Sequence, residues 1–153
     1  MRGTLRIFRT DTFMPAVAAQ VINATWSEAE TLHVLVSDGI MFDPRTIIPA
    51  DRMEKVMVQR ILTSYQLEKI LMDSDNFPFY ICVSSSTISS WKLQSIEAIN
   101  EIMRIKSYYH GCRITFHIVG PPGLFNVHLN AAYIAPPQAS LGSSNLYDYG
   151  DGG

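Results

Sequence analysis

Two segments in which apolar and polar residues alternate flank the sequence Gly120-Pro121-Pro122-Gly123. Alternation with a period of two is typical of strands, and a four-residue loop fixes how two strands oppose each other. The expected hairpin pairs Ile114 with Leu129, Phe116 with Val127, and Ile118 with Phe125 on an apolar face. Its polar face pairs Arg113 with Asn130, Thr115 with His128, and His117 with Asn126. We therefore predict that Phe116 is buried and His117 is exposed.

The remaining patterns predict an α+β fold with a mainly antiparallel sheet of about five strands. Strands are expected at 4–9, 31–36 and 76–83, and helices covering the sheet at 12–26, 51–72 and 91–106. Thr63 and Gln66 have the spacing of a capping box, so the long helix has the alternative of two helices meeting at a bend. Strands and helices do not alternate regularly enough in this interpretation for a doubly wound sheet.

Composition predicts one domain and a tail. The chain has 153 residues, of which 47% are hydrophobic, enough for one core without disulfide or metal support. From Pro136 the residues become mainly Pro, Ser, Gly, Asn and Asp. We expect a globular domain at 1–135 and a flexible tail at 136–153.

Charge excludes a strong global attraction to nucleic acid or membrane, because 12 basic residues face 14 acidic ones and the formal net charge is −2. One local patch is predicted at Lys92, Arg104, Lys106 and Arg113, opposed only by Glu97 and Glu101 in that stretch. Such a patch would bind a nucleocapsid or an anionic lipid surface nonspecifically. The alternative is a solvated helix face.

Titratable side chains form no recognisable catalytic or metal-binding signature, so no enzyme activity and no cofactor are predicted. Cys82 and Cys112 lack zinc-ligand spacing, and the N-terminus lacks a signal peptide, which indicates an intracellular, reducing compartment. His117 and His128 would lie diagonally across the hairpin without a third ligand. Cys112 beside His110 has no visible oxyanion device.

The order of the predicted elements resembles the core of rhabdovirus matrix proteins. A first strand leads into the helix Ala16-Val17-Ala18-Ala19 to Trp26, a second strand follows, and a helix and hairpin close the domain. The resemblance implies a non-enzymatic virion protein that self-associates, condenses the nucleocapsid and links it to the inner leaflet of the envelope during budding. Two family features are missing: a long basic arm and the Pro-Pro-x-Tyr motif, since Ala139 follows Pro136-Pro137-Gln138.

Exposed apolar groups predict where copies of the chain would meet. Four tail residues suit docking on a neighbouring copy: Leu141, Leu146, Tyr147 and Tyr149. The receiving surface is the predicted hairpin tip, formed by Val119, Pro121, Pro122 and Leu124. Met41 and Phe42 form a second expected apolar contact. The alternatives are a solubilising tail and, for the whole protein, a small cytosolic enzyme or regulatory binding domain with an unrecognised pocket.

Overall fold

A computed structural model of the chain describes residues 3–27 and 29–135 and contains one six-stranded sheet. In chain order the elements are β1 Thr4–Thr10, α1 Pro15–Thr25, β2 Leu32–Ser37, α2 Pro44–Ile47, a 3-10 helix Ala50–Lys55, β3 Val56–Ile61, α3 Ser64–Asp73, β4 Phe79–Ser84, α4 Ser85–Ser89, α5 Leu93–His110, β5 Arg113–Val119, α6 Leu124–Leu129 and β6 Ala132–Tyr133. Among these described residues, no helix is long and apolar enough to cross a bilayer.

The sheet is entirely parallel, so the predicted antiparallel α+β fold is wrong. Its strand order is β3-β2-β4-β5-β1-β6, and every pair of neighbours runs in the same direction. Parallel neighbours need crossover connections, and helices supply them on both sides of the sheet. The molecule is therefore a three-layer α/β domain.

Each face of the sheet has its own apolar core. One core packs α1 and α2 through Ala18, Ile22 and Ile47 against alternate strand residues such as Val34. The other packs α3, α5 and α6 through Leu67, Met103 and Phe125 against the intervening residues, such as Ile81. The central strand β4 is buried on both faces, as continuous apolar strands of parallel sheets usually are.

The predicted helix at 51–72 contains a strand. Methionines at positions 53 and 57, followed by Ile61, suggest helical spacing, but Val56–Ile61 pairs with β2 along its whole length. The capping box at Thr63 and Gln66 is confirmed: Thr63 Oγ1 accepts from the Gln66 amide at 3.1 Å, and Gln66 Oε1 accepts from the Thr63 amide at 3.2 Å. It begins α3 directly after the strand.

The predicted hairpin is also wrong, because a helix replaces its second strand. Phe125 and Leu129 are buried while Val127 is 78% exposed, which is helical rather than alternating spacing. Gly120 has φ of +131°, and a Cβ there would lie 2.1 Å from Ser85 Oγ. The loop therefore needs glycine to pass against the start of α4. The hairpin that supported the resemblance to matrix proteins is thus absent from the described chain.

Several local predictions are confirmed. The first three strands predicted from alternation correspond to β1, β2 and β4, and the helix predicted at 91–106 corresponds to α5. Gly111 ends α5 in the left-handed conformation, with φ of 71°.

Candidate functional site

The carboxyl edge of the sheet contains a point where chain connections diverge. From β2 the chain turns to the edge strand β3 on the face covered by α1 and α2, whereas from β4 it turns to β5 on the opposite face. In open α/β sheets, ligands bind outside the carboxyl ends of strands at such a point. The segments that follow Ser37 and Ser84 therefore frame the first candidate region.

Serine and threonine hydroxyls connect the ends of β2 and β4. Ser37 Oγ accepts a hydrogen bond from the Ser84 amide at 2.9 Å. Ser84 Oγ lies 2.8 Å from Thr87 Oγ1 and 3.2 Å from Ser86 Oγ. Among the described residues, the hydrogen-bond partners of these hydroxyls are serine, threonine and backbone groups, and none is a histidine. The cluster is suited to holding a neutral polar group rather than to activating a serine nucleophile.

A cavity of about 300 Å³ lies on the face covered by α5 and α6, and its wall is connected to this cluster through Ser89, which donates to the Ser86 carbonyl. Its walls come from the segments that follow β4 and β5, and they comprise Ile88, Ser89, Trp91, Leu93, Ile96, Gly123, Leu124, Phe125 and His128. The floor is apolar, because Ile88, Ile96 and Phe125 are buried. This volume is at the lower end of the range for small-molecule sites.

The rim of the cavity combines exposed apolar and polar groups. Leu124 is 81% exposed and Leu93 is 45% exposed, although both side chains are apolar. His128 is exposed and is the only titratable side chain in the wall. Ser89 Oγ donates to the Ser86 carbonyl at 2.8 Å, so its lone pairs remain able to accept a hydrogen bond. The rim therefore offers apolar contact and a small number of polar groups.

A larger cavity, of about 620 Å³, runs between α1 and the amino-terminal half of β1. There β6 covers β1 only at Phe8 and Arg9, so this space is a groove along an incomplete sheet edge. It is away from the carboxyl ends of β2, β4 and β5, where ligands of this fold class bind. We therefore place the candidate site in the smaller cavity.

His117 belongs to a buried hydrogen-bonded chain and not to an exposed face, so that prediction is wrong. Its Nε2 lies 2.7 Å from Thr10 Oγ1, and its Nδ1 lies 2.8 Å from the Tyr80 hydroxyl. Because Thr10 donates its proton to the Thr12 carbonyl, Nε2 must donate to Thr10 Oγ1. Burial keeps the imidazole neutral, so its proton is on Nε2 and Nδ1 accepts from the Tyr80 hydroxyl.

Burial keeps the side chains of this hydrogen-bonded network in their neutral, unreactive forms. It lowers the pKa of His117 to about 4 and raises that of Cys82 to about 12. The pKa of Tyr80 is also raised, first by burial and then by the adjacent Cys82. All three groups are neutral at physiological pH, which is the behaviour of a structural network. His128 lies on α6, so the two histidines do not face each other across a hairpin.

The four residues of the predicted charge patch differ in burial and in their bonding partners. Lys106 is buried, and its Nζ donates to the Ser74 carbonyl at 3.1 Å. Arg113 forms an ion pair with Glu30, and Arg104 forms an exposed one with Glu101 at 3.2 Å. Of the four residues, Lys92 is exposed at the start of α5 and has no ion pair with another described residue. These four residues do not form a continuous cationic surface.

The predicted apolar contacts have mixed positions. Met41 is 85% exposed, but Phe42 is buried against Tyr80 in the core under α2. Pro121 and Pro122 are exposed in the β5–α6 loop, and Val119 is half-buried at its start. Leu124 lies next to them and lines the cavity. The four tail residues, Leu141, Leu146, Tyr147 and Tyr149, lie outside the described residues.

The sequence interpretation missed Trp91, Ile88 and Phe125 as site residues. The usable signal was the position of Ser84-Ser85-Ser86-Thr87 and Gly120-Pro121-Pro122-Gly123, each directly after an apolar strand. In a parallel sheet those segments meet at one edge, but in the predicted hairpin they do not.

The chain matches no protein-family model, and no curated protein has significant similarity to it.

Proposed function

We propose that the domain binds a small, mainly apolar molecule with one polar end in the cavity beneath α6. The observation that carries the proposal is that this cavity is built from the segments following β4 and β5, at the carboxyl edge of the sheet and next to the divergence point between β2 and β4. In open α/β sheets, ligands bind outside the carboxyl ends of the strands. This support is by analogy of fold, and the residues of the cavity add the ligand chemistry.

The wall chemistry defines the ligand class. Buried Ile88, Ile96 and Phe125 would contact the apolar part, and its removal from water would provide most of the affinity. Ser89 and His128 would meet the polar end at the rim. Because the wall holds a single titratable side chain and no hydroxyl paired with a base, we propose binding without chemical conversion.

A matched pair of substitutions on α6 tests the proposal. The probe is anilinonaphthalene sulfonate, which has an apolar ring system and an anionic end. Leu124 lines the cavity and Val127 does not, yet they are 81% and 78% exposed. We expect Leu124→Ser to weaken saturable binding of the probe about tenfold, as loss of roughly 1.4 kcal/mol of contact implies. Val127→Ser should leave the affinity unchanged.

Calorimetric titration of the full chain with the probe gives both affinity and stoichiometry. One site per chain, weakened only by Leu124→Ser, supports the cavity. Equal weakening by both substitutions, or binding without saturation, would contradict it.

We do not extend the nucleocapsid-linking role of matrix proteins to this chain, because the closing hairpin is replaced by β5 and α6 and the cationic residues are separated.

A further inference from the structure

The edge strand β3 has one side that is not paired with any strand of the described chain. Among the described residues, β2 is the only strand paired with it, so alternate amide and carbonyl groups of Val56–Ile61 face outward along the other side. Met57 is 55% exposed and Val58 is 44% exposed. Since successive strand residues point to opposite faces, neither face of this strand is covered at its centre.

β3 lacks the devices that protect sheet edges. Those devices include proline, a bulge, an outward lysine at the centre, or a very short strand. β3 pairs continuously over six residues and contains no proline. Its only charged residue, Arg60, donates to the carbonyls of Ser37 and Ile40 at 3.1 and 3.3 Å. The opposite edge differs, since β6 has two residues and the exposed groups of β1 beside it are Thr4 and Arg6.

We propose that β3 pairs antiparallel with β3 of a second copy of this chain, across a two-fold axis at Val58. A two-fold axis perpendicular to the sheet keeps each face on its own side, so the axis must pass through a residue rather than between two residues. With Val58 opposite itself, Met57 lies opposite Gln59, and Arg60 lies opposite Val56. No like charges oppose each other within the strand.

The second copy is favoured over an unrelated strand because the edge is self-complementary. Both exposed apolar groups, Met57 and Val58, lie at or next to the axis, where each copy covers the other. Pairing of one strand covers less than the roughly 800 Å² per partner of a tight complex, so we expect micromolar affinity. This interface lies on β3 and does not depend on the proposed ligand cavity.

Sedimentation of the full chain from low to several hundred micromolar tests the assembly. We expect a reversible transition toward twice 17.2 kDa. Met57→Lys should weaken association at least tenfold, because lysine charges meet near the axis. Met72→Lys is the control, since Met72 is 68% exposed on α3 and lies beside Ile102 and Ile105 of α5 rather than beside β3. A monomer at all concentrations, or equal effects of both substitutions, would overturn the proposal.

Cysteine crosslinking tests the register independently of affinity. Directly opposed residues have Cα atoms about 4.5 to 5.5 Å apart, which is within disulfide range. Val58→Cys should therefore form a covalent dimer on air oxidation with copper phenanthroline, while the native Cys82 and Cys112 are buried. Leu62→Cys is more accessible, since Leu62 is 60% exposed, but its two copies would lie about 26 Å apart along the strands. Faster crosslinking at position 62 than at 58, in variants with unchanged thermal transitions, would contradict the register.

Discussion

At the scale of single residues, His117 shows how a polar side chain can complete a core. It stacks on Phe8, with ring centroids 4.4 Å apart, and both its nitrogens are hydrogen-bonded. A buried polar group is tolerated when its bonds are satisfied. In the sequence, His117 follows an apolar face residue and resembles an ordinary exposed strand residue. Its burial depends on α1 and α2 covering the second face, which local alternation cannot reveal.

The lowered pKa of His117 predicts that stability falls in acid. The imidazole has a folded-state pKa of about 4 against an ordinary 6.5, so between these values the unfolded chain binds more protons. The stabilisation that the neutral imidazole of His117 contributes is therefore complete above pH 6.5 and is lost as the pH falls to 4. The total loss is roughly 3 kcal/mol at 1.36 kcal/mol per unit.

Urea denaturation at several pH values measures this loss. His117→Gln is the control, because it keeps a polar side chain but does not titrate. The difference in free energy of unfolding between the native sequence and His117→Gln should become smaller as the pH is lowered from 6.5 to 4. Parallel curves would show that His117 does not titrate between the two states. His33 also has a pKa lowered by burial, and it is present in both proteins and cancels.

Adjacent residues of β5 should both be costly to truncate. Phe116→Ala removes a fully buried ring and should lower the free energy of unfolding by about 3 to 5 kcal/mol. His117→Ala leaves the Tyr80 hydroxyl without its acceptor and should cost about 1 to 3 kcal/mol from that group. Denaturant titration of both variants checks the prediction. A negligible effect of His117→Ala would restore the exposed face predicted from sequence.

At the scale of elements, the capping box is the most reliable local signal in the chain. Thr63 and Gln66 satisfy each other's amides, and this short-range chemistry is visible in sequence. Thr63→Ala should therefore lower the free energy of unfolding by about 1 kcal/mol. Ser64→Ala, one residue into α3, is the control and should have little effect. Equal losses in both variants would argue against a specific cap.

The two misassigned elements have physical causes. β3 lies at the sheet edge with both faces exposed at its centre, so it shows no alternation, and the methionines before and within it imitate helical spacing. α6 has only six residues, which is too short for a helical period to be distinguished from a strand. Tertiary packing of Phe125 and Leu129 on α5 and the sheet decides its conformation. These two errors removed the regular alternation of strands and helices.

At the scale of the whole molecule, the direction of the strands determines where a ligand site is expected. The observed sheet is parallel, whereas the predicted one was mainly antiparallel. With β3 and α6 assigned correctly, strands alternate with helical segments along the chain, and such crossover connections join parallel strands. The core residues Phe79, Ile81, Ile114, Phe116 and Ile118 were predictable from sequence, and they are buried. The cavity was not predictable, because its walls meet only when β4 and β5 end at the same edge.

The central claim is that a ligand enters the cavity beneath α6, and the two tryptophan indoles report on it most directly. Trp91 lines the cavity, whereas Trp26 is buried under Arg52, whose guanidinium carbon lies 3.8 Å from the indole centre. Titrating the nitrogen-labelled full chain with anilinonaphthalene sulfonate should shift the Trp91 indole signal in a saturable manner and leave that of Trp26 in place. Saturable binding that shifts Trp26, or neither indole, would contradict the claim.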